Sequence, residues 1–456
     1  MNGRLLPESK PRTARALAVF TARLRQMRED GFGDPAQVED FRRRARAAKL
    51  TYLSRPEYWL EMLCQRFEDA GGRVHLAGDA AEARGLIEGI CEAAGVSKVV
   101  KSKSMLGEEI GLNPALEARG VEVTETDLGE FIIQLAGERP FHILGPAMHK
   151  DRGQIAELFS DRLGITVGDD PAELTQAARR VLRERFLAAQ AGITGVNVAA
   201  CATGTLALIT NEGNGRYCAG LPPVHIAVMG LEKAVPTLAD LAMFVTLIPR
   251  AALGARLPSY VTLAGGSLGR AGGAGPRQRH LVVLDNGRSA ILSSRYWEML
   301  LCLRCASCLN FCPVYGLAGG HNYPGAYPGP MGSVLSQLLC GQEGGEDLVH
   351  ASTLCGRCRQ MCPMGIDLPG MLLALRGEMA EKGVLGQLSN LAAGLAAEVL
   401  SRRPLFEAAK AGGRGLLRVL DAWEPRPLPP GPWRAWRRAG RRLPSASGAG
   451  REGRRG

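Results

Sequence analysis

Seven of the twelve cysteines in this 456-residue chain lie in two short runs. Residues 302–312 read CLRCASCLNFC, which gives the spacing C-x2-C-x2-C-x3-C, and Pro313 follows directly. A second, shorter run is also followed by a proline, and its three cysteines are Cys355, Cys358 and Cys362. Thiolates at this spacing hold iron–sulfur clusters, and the fourth cysteine of such a run ligates the other cluster of a pair. The two runs therefore predict two 4Fe-4S clusters.

This crossed pattern divides the cysteines into two predicted ligand sets. The ligands of the first cluster are predicted to be Cys302, Cys305, Cys308 and Cys362. Those of the second cluster are predicted to be Cys312, Cys355 and Cys358. The full spacing would place a fourth thiolate three residues before Cys355, where Ser352 stands instead. The missing ligand is therefore open between Ser352, Cys340, a water molecule and a residue of a partner subunit, and its absence would leave a 3Fe-4S cluster.

Zinc is the alternative occupant, because C-x2-C pairs also bind zinc. Four cysteines before a proline, with the pattern repeated in part downstream, are much more specific to iron–sulfur chemistry. Closely spaced cysteines in a cytoplasmic chain indicate metal ligands, because disulfides are rare in that compartment.

The elements that must position these cysteines fall into four predicted segments. Residues 1–70 are predicted to be helical, and the stretch VEDFRRRARAAKLTYL has the charged face of a surface or docking helix. Residues 71–288 alternate short apolar strands with helices, which predicts an α/β domain with a largely parallel sheet. Residues 289–385 are predicted to be an α-helical two-cluster ferredoxin domain. Residues 386–456 are predicted to be helical and then a Pro/Arg-rich basic tail, disordered at its end.

Charge and hydropathy restrict the partners and the location. The net charge is +11, but from residue 401 onward there are 13 Arg and one Lys against four acidic residues, so the body is nearly neutral. We therefore expect no nucleic-acid partner. No apolar stretch is long enough for a transmembrane helix and the N-terminus lacks a signal-peptide core, so a cytoplasmic protein is expected. The basic tail could dock an acidic partner, contact a membrane surface peripherally, or remain solvated.

Two long stretches of the α/β segment resemble a known family. The first runs from KSKSMLGEEIGLNPALEARG to HILGPAMHK, and the second is GVNVAACATGTLALITNEGNGRYCAGLPPVHIAVMG. Both resemble the lactate-utilization (LUD) domain. With CLRCASCLNFCPVY and LCGRCRQMCP after them, the order resembles the bacterial lactate utilization protein B family over residues 35–425.

This resemblance implies a fold and a function that spacing alone does not. The LUD domain would be similar to the ribose-phosphate isomerase/CoA-transferase group. The chain would carry electrons through two 4Fe-4S clusters while acting with two companion proteins, lactate utilization proteins A and C, in the oxidation of L-lactate to pyruvate. The incomplete second cysteine run would be a family trait.

The α/β segment also contains candidate ligand-binding residues. They lie at a strand exit, in the turn NEGNGR and on an apolar strand: Lys101, Ser102, Lys103, Ser104, Asn211, Glu212, Asn214, Arg216 and His225. A cationic loop before a helix suits a carboxylate or phosphate. The alternatives are that Ser104 only caps the helix beside solvated lysines, that the turn is ordinary turn chemistry, and that His225 is a satisfied core histidine.

Three functions remain open at this point. The chain could be an electron-transfer subunit, an autonomous oxidoreductase with substrate or flavin held in the LUD domain beside the second cluster, or a scaffold stabilised by its clusters. No strand is followed by GxGxxG, which disfavours a Rossmann-type NAD or FAD site. The enzyme class is therefore uncertain, and an electron-transfer component is favoured over a catalytic subunit.

Overall fold

The computed structural model describes residues 10–265, 276–339, 346–382 and 387–422. The chain divides into two compact units, one of residues 3–377 and one that begins at Glu378 and includes the C-terminus. Each unit is described by itself.

Three helices form the N-terminal region, as the sequence predicts. They are α1 (Pro11–Phe32), α2 (Pro35–Leu53) and α3 (Pro56–Asp69). Each begins with a proline, whose fixed φ and missing N–H are tolerated at the first helical position. Asp34 also caps α2, because its carboxylate accepts a hydrogen bond from the backbone N–H of Ala36 at 2.9 Å.

A six-stranded, fully parallel sheet forms the centre of the α/β region, which confirms the predicted architecture. Its strands are β1 (Arg73–Ala77), β2 (Lys98–Lys101), β3 (Glu122–Glu125), β4 (Ala191–Gly195), β7 (Val224–Gly230) and β10 (Gln278–Leu284). The spatial order is β1-β10-β7-β4-β2-β3. Every residue of β7 is buried, which explains its continuous apolar sequence, since a central parallel strand is covered on both faces.

A smaller, mixed sheet lies beside the first in the same region. Its strands, in spatial order, are β8 (Ala234–Val235), β5 (Val198–Ala200), β6 (Thr205–Thr210) and β9 (Tyr260–Gly265). β5 pairs parallel to β8 and antiparallel to β6, and β6 pairs antiparallel to β9.

Helices connect the strands of both sheets, and a last one leads from β10 to the cysteine region. They are α4 (Ala80–Ala93), α5 (Met105–Glu109), α6 (Leu112–Ala118), α7 (Leu128–Ala136), α8 (Arg152–Leu163), α9 (Pro171–Ala188), α10 (Asn214–Gly220), α11 (Leu238–Leu253) and α12 (Arg288–Leu292). Asp79 caps α4, because its carboxylate accepts a hydrogen bond from the backbone N–H of Glu82 at 2.9 Å.

The cysteine region is helical, and between residues 289 and 382 the described part of the chain contains no β-strand. Its α-helices are α13 (Ser307–Asn310), α14 (Pro313–Ala318), α15 (Gly329–Leu338), α16 (Arg357–Met361) and α17 (Leu368–Glu381). The prediction of an α-helical rather than a β-hairpin ferredoxin domain is confirmed.

The C-terminal unit contains the helices α18 (Gln387–Ser401) and α19 (Arg403–Ala422). The predicted Pro/Arg-rich disordered tail begins after these helices and lies outside the described residues. Among the helices that the structure describes, none combines the length and the apolar character needed to cross a membrane.

Candidate iron–sulfur centres and an adjoining cavity

The first cysteine run forms a loop with an unusual backbone. Cys305 lies between Arg304 and Ala306, which have φ values of 60° and 62°. Left-handed conformations are uncommon for residues other than glycine, so the loop is held in a specific shape. The backbone N–H of Arg304 points at the sulfur of Cys302, 3.5 Å away, and α13 begins directly after the turn.

Four thiols from the two runs line one small, mostly apolar cavity. They are those of Cys302, Cys305, Cys308 and Cys362. Burial, and after it the neighbouring thiols Cys305 and Cys302, raise the pKa of Cys362 to about 12. Four closely placed thiols would repel one another as bare thiolates, and bound iron is what offsets that repulsion. This donor set therefore fits an iron–sulfur cluster.

The remaining three cysteines of the runs form a second neighbourhood. Burial raises the pKa of Cys358 to about 11, and Cys312 and Cys355 are close enough to contribute. Cys355 is exposed, and the backbone N–H of Arg357 donates to its sulfur, which lowers its pKa. This set of three soft ligands also fits an iron–sulfur cluster.

The two runs have the same local structure, and the second is displaced by fifty residues along the chain, as from Cys305 to Cys355. Leu354 and Gly356, with φ values of 53° and 79°, flank Cys355 as two left-handed residues flank Cys305. The hydroxyl of Ser352 accepts a hydrogen bond from the backbone N–H of Leu354 at 3.2 Å, as the sulfur of Cys302 does in the first run. The Ser352 oxygen thus occupies the position of a thiolate. Cys340, the other candidate fourth ligand in the chain, lies outside the described residues.

Arginines of the N-terminal helices bind the backbone of both runs. On α1, Arg25 donates to the carbonyl of Asn310, and Arg28 donates to that of Met361 at 2.8 Å. On α2, Arg42 and Arg46 donate to carbonyls of the second run and its exit, at 3.2 and 2.7 Å. The charged face predicted for a surface or docking helix is therefore used inside the same compact unit. Sequence reasoning missed this role, because nothing local distinguishes these arginines from solvated ones.

A cavity of about 300 Å³ separates the large sheet from the first cysteine loop. Six of the nine predicted ligand-binding residues line it: Ser102, Lys103, Ser104, Asn211, Glu212 and Asn214. Ser104 also caps α5, because its hydroxyl accepts a hydrogen bond from the backbone N–H of Gly107 at 3.2 Å. Lys103 is not solvated as the alternative interpretation expected, since its ammonium lies 3.6 Å from the Glu130 carboxylate.

Three of the predicted ligand-binding residues lie elsewhere. Lys101 is buried and forms a 2.6 Å ion pair with Glu125, so its charge is already satisfied. Arg216 is exposed, and its guanidinium lies over the ring of its neighbour Tyr217. His225 is buried in β7, where its ring bonds to the Thr194 hydroxyl at 2.9 Å and burial lowers its pKa to about 4. It is thus a satisfied core histidine.

The cavity also contains charged residues that the sequence did not single out. Arg304, a spacer position in the cysteine run, lies over the ring of Tyr327 and 3.4 Å from the Glu232 carboxylate. Lys233 is half-buried, and its pKa is lowered to about 8, first by burial and then by Arg304. The cavity reaches Leu303, Arg304 and Cys305. This cavity therefore adjoins the first run, whereas the autonomous-oxidoreductase hypothesis expected a ligand beside the second cluster.

A buried ion-pair network fixes this end of the cavity. Arg288 contacts Glu109 at 2.8 Å and Glu232 at 2.7 Å, and the Tyr327 hydroxyl donates to Glu109 at 2.6 Å. Burial alone would raise the pKa of Glu232, but Arg288 and Arg304 outweigh it and lower that pKa to about 2. The network joins helix α5, the turn after strand β7 and helix α12 to the first cysteine loop.

Comparison with known proteins agrees with this architecture. Residues 60–282 match the model of the LUD domain, and residues 298–366 match that of the 4Fe-4S dicluster domain. Lactate utilization protein B of Bacillus cytotoxicus is 43% identical over 370 residues, which cover 81% of this chain and 77% of that protein. The chain belongs to the lactate utilization protein B family.

Other members of the lactate utilization protein B family give the same picture. That of Bacillus velezensis is 43% identical over 368 residues, covering 80% of this chain and 77% of that protein. Membership and the dicluster match establish an iron–sulfur protein of lactate utilization, so the predicted family and cofactor class are confirmed. A solved structure described as a DUF162 family protein from Deinococcus radiodurans is 17% identical and covers 50% of this chain and 98% of its own. Its TM-score is 0.29, too low to add to the assignment.

Proposed function

We propose that this chain is an electron-transfer subunit of a multi-protein system that oxidises L-lactate to pyruvate. The observation that carries the proposal is the interlocking of the two cysteine runs, in which Cys362 joins the set of the first run and Cys312 joins that of the second. Such crossing ties two redox centres to one rigid region of the chain.

The proposed ligand sets are those that the spacing predicts. Cys302, Cys305, Cys308 and Cys362 hold the first 4Fe-4S cluster. Cys312, Cys355 and Cys358 hold the second, and Ser352 stands at the fourth position. A bound 4Fe-4S cluster supplies one-electron redox chemistry. The chain's own contribution is to fix the thiolates, to direct backbone N–H groups at sulfur and to bury Cys305 and Cys362 of the first set.

A pair of one-electron centres suits this reaction. Oxidation of lactate to pyruvate releases two electrons and two protons, so one turnover can reduce both centres once. We assign the removal of those electrons from lactate to companion proteins, similar to lactate utilization proteins A and C, and the conduction of electrons to this chain.

The decisive experiment compares the chain alone with the chain plus its companions. The protein is reconstituted anaerobically with iron and sulfide, and lactate-dependent reduction is followed by EPR and by a dye. We expect no reduction by the chain alone and restoration when both companions are added. Dye reduction by the chain alone would overturn the proposed electron-transfer role, called the relay below, and would support an autonomous oxidoreductase.

A scaffold whose clusters only stabilise the fold requires a separate control. Cys305→Ser removes a ligand of the first set, whereas Cys91→Ser alters a buried thiol of the α/β core. The relay predicts that only Cys305→Ser abolishes activity of the assembled system. Full activity after loss of the first cluster would instead support the scaffold.

A further inference from the structure

We propose that the cavity beside the first cysteine loop binds a small organic carboxylate, which Lys233 and Arg304 hold next to the first cluster. The inference rests on the proposed function and adds a ligand to it. The cavity of about 300 Å³ is at the lower end of the range of small-molecule sites and holds a three-carbon acid together with water.

Arg304 has an unused donor at this site. Its side chain is 9% exposed, and one terminal nitrogen bonds to Glu232. Its other terminal nitrogen, Nη1, is buried without a hydrogen-bond partner in the described part of the chain. A buried guanidinium nitrogen without an acceptor is costly, and a ligand carboxylate would satisfy it.

Lys233 supplies the second positive charge. It follows Glu232 in the chain, and no ion pair or hydrogen bond of its ammonium is found among the residues that the structure describes. It lines the cavity, and its charge is close enough to Arg304 and to the Cys302 thiolate to interact with both. An anion bound between two such cations relieves their repulsion.

The charge balance favours a monoanion. Arg304 and Arg288 form ion pairs with the carboxylates of Glu109 and Glu232, and Lys233 lies nearby. Lys49 also lies beside Glu232, but burial lowers its pKa to about 7, so it is mostly neutral above that pH. The group then has one positive charge in surplus. The acidic residues Asp127, Glu130 and Glu212 belong to a separate group around Lys103. A monocarboxylate matches the surplus, whereas a phosphate dianion would exceed it beside the negative thiolates.

The rest of the cavity suits an organic molecule. Apolar side chains such as Ile248, Leu253 and Leu208 form part of the wall. The hydroxyl oxygen of Thr210 is buried there without a partner in the described ranges, and it offers a hydrogen bond to a hydroxyl or carbonyl group. The combination of a cationic end, a spare hydroxyl and an apolar wall fits a 2-hydroxy or 2-oxo acid.

Binding at this position must couple to the first cluster. Lys233 and Arg304 both interact with the Cys302 thiolate, so their charges favour the reduced, more negative form of a cluster held there. A carboxylate that neutralises them therefore lowers the reduction potential of the first cluster. By reciprocity, reduction of that cluster must weaken carboxylate binding by the same factor.

The test is equilibrium binding to the reconstituted full-length protein. L-lactate, pyruvate and inorganic phosphate are titrated separately by calorimetry with oxidised and with dithionite-reduced protein. We expect saturable binding of one or both acids, weakened about 10-fold by reduction of the protein, which corresponds to about 59 mV for one electron. Lys233→Met should weaken binding about 10-fold and leave the cluster absorbance intact, while Lys98→Met, a surface control, should change neither.

Several outcomes would overturn the inference. The first is that neither acid binds saturably up to about 10 mM. The second is that only phosphate binds, and the third is that the Lys233→Met variant binds the acids as tightly as the wild type. The proposed relay fails on a different result, the absence of lactate-dependent cluster reduction with companions present. Lactate-dependent cluster reduction without acid binding would therefore refute the carboxylate site and leave the proposed electron-transfer function standing.

Discussion

The two cysteine runs share one loop design and differ in their surroundings. In the first set, Cys305 and Cys362 are buried, and the cations Arg304, Lys233 and Arg28 are close enough to interact with thiols of the set. In the second set, Cys355 is exposed and Ser352 replaces a thiolate. One repeat has thus been adapted to two environments, an enclosed centre beside a cavity and a centre at the surface. We expect the surface centre to exchange electrons with a partner protein.

The largest expected effect comes from breaking either set. Cys305→Ser and Cys355→Ser should each remove one cluster and lower the lactate-dependent activity of the assembled system by more than about 100-fold, because the proposed electron path passes through both centres. Iron and sulfide analysis with EPR of the reduced protein measures the loss. A variant that retained one cluster and near-normal activity would show that the two centres are not in series.

The second prediction concerns Ser352, which stands in the second set where the first set has a cysteine. Ser352→Cys should give the second set four thiolates, so that it holds four irons more firmly and survives a chelator challenge about 10-fold longer. Ser352→Ala should favour a three-iron species in the second set, visible by EPR of the oxidised protein, if the hydroxyl is the fourth ligand. An unchanged spectrum in Ser352→Ala would assign the fourth ligand to Cys340, water or a partner.

The third prediction concerns the arginines that hold the runs together. Arg28→Met should reduce the free energy of unfolding by about 2 kcal/mol, because it leaves the Met361 carbonyl without its buried donor. Thermal unfolding of the reconstituted protein measures the change. Arg23→Met, on the exposed side of the same helix, is the matched control and should be nearly neutral. Equal stability of the two variants would contradict the conclusion that Arg28 stabilises the second cysteine run.

A pH dependence of stability is expected for the region around the first cysteine run. His142 is buried and bonds to Asn310 of α13 at 2.9 Å, and burial lowers its pKa to about 4 from an ordinary value near 6.5. Between about pH 6.5 and 4, His142 therefore binds a proton in the unfolded chain but not in the folded chain. Stability contributed by neutral His142 is complete above pH 6.5 and falls by about 3 kcal/mol as the pH drops to 4.

Denaturant unfolding at several pH values checks this expectation. His142→Gln should flatten the dependence between pH 6.5 and 4 relative to wild type. His225→Gln provides the comparison, because its histidine has a similarly lowered pKa but lies in the sheet, away from both runs. If the His142 variant kept the full wild-type slope, the proton would be taken up elsewhere.

Local sequence was sufficient for much of the fold. The alternation of strands and helices predicted the parallel sheet, and a cap such as that of Asp79 on α4 depends only on residues a few positions apart. The family and the iron–sulfur cofactor class also followed from motifs of contiguous residues. The candidate ligand site was only partly predictable. The loop from Ser102 to Ser104 lines the cavity, but Lys101, one residue earlier, forms a buried ion pair with Glu125 instead.

The sequence by itself determined which cysteines could share a cluster, because two intervening residues limit how far apart their thiols can lie. It also determined where a thiolate is lacking, at Ser352. Only the tertiary structure decided that arginines of α1 and α2 hold the cysteine loops, and that Arg304 and Lys233 meet at a cavity beside the first run. The physical reason is the distance along the chain between the interacting residues. Spacing constrains neighbours along the chain, whereas burial and charge pairing depend on residues that folding brings together across more than two hundred positions.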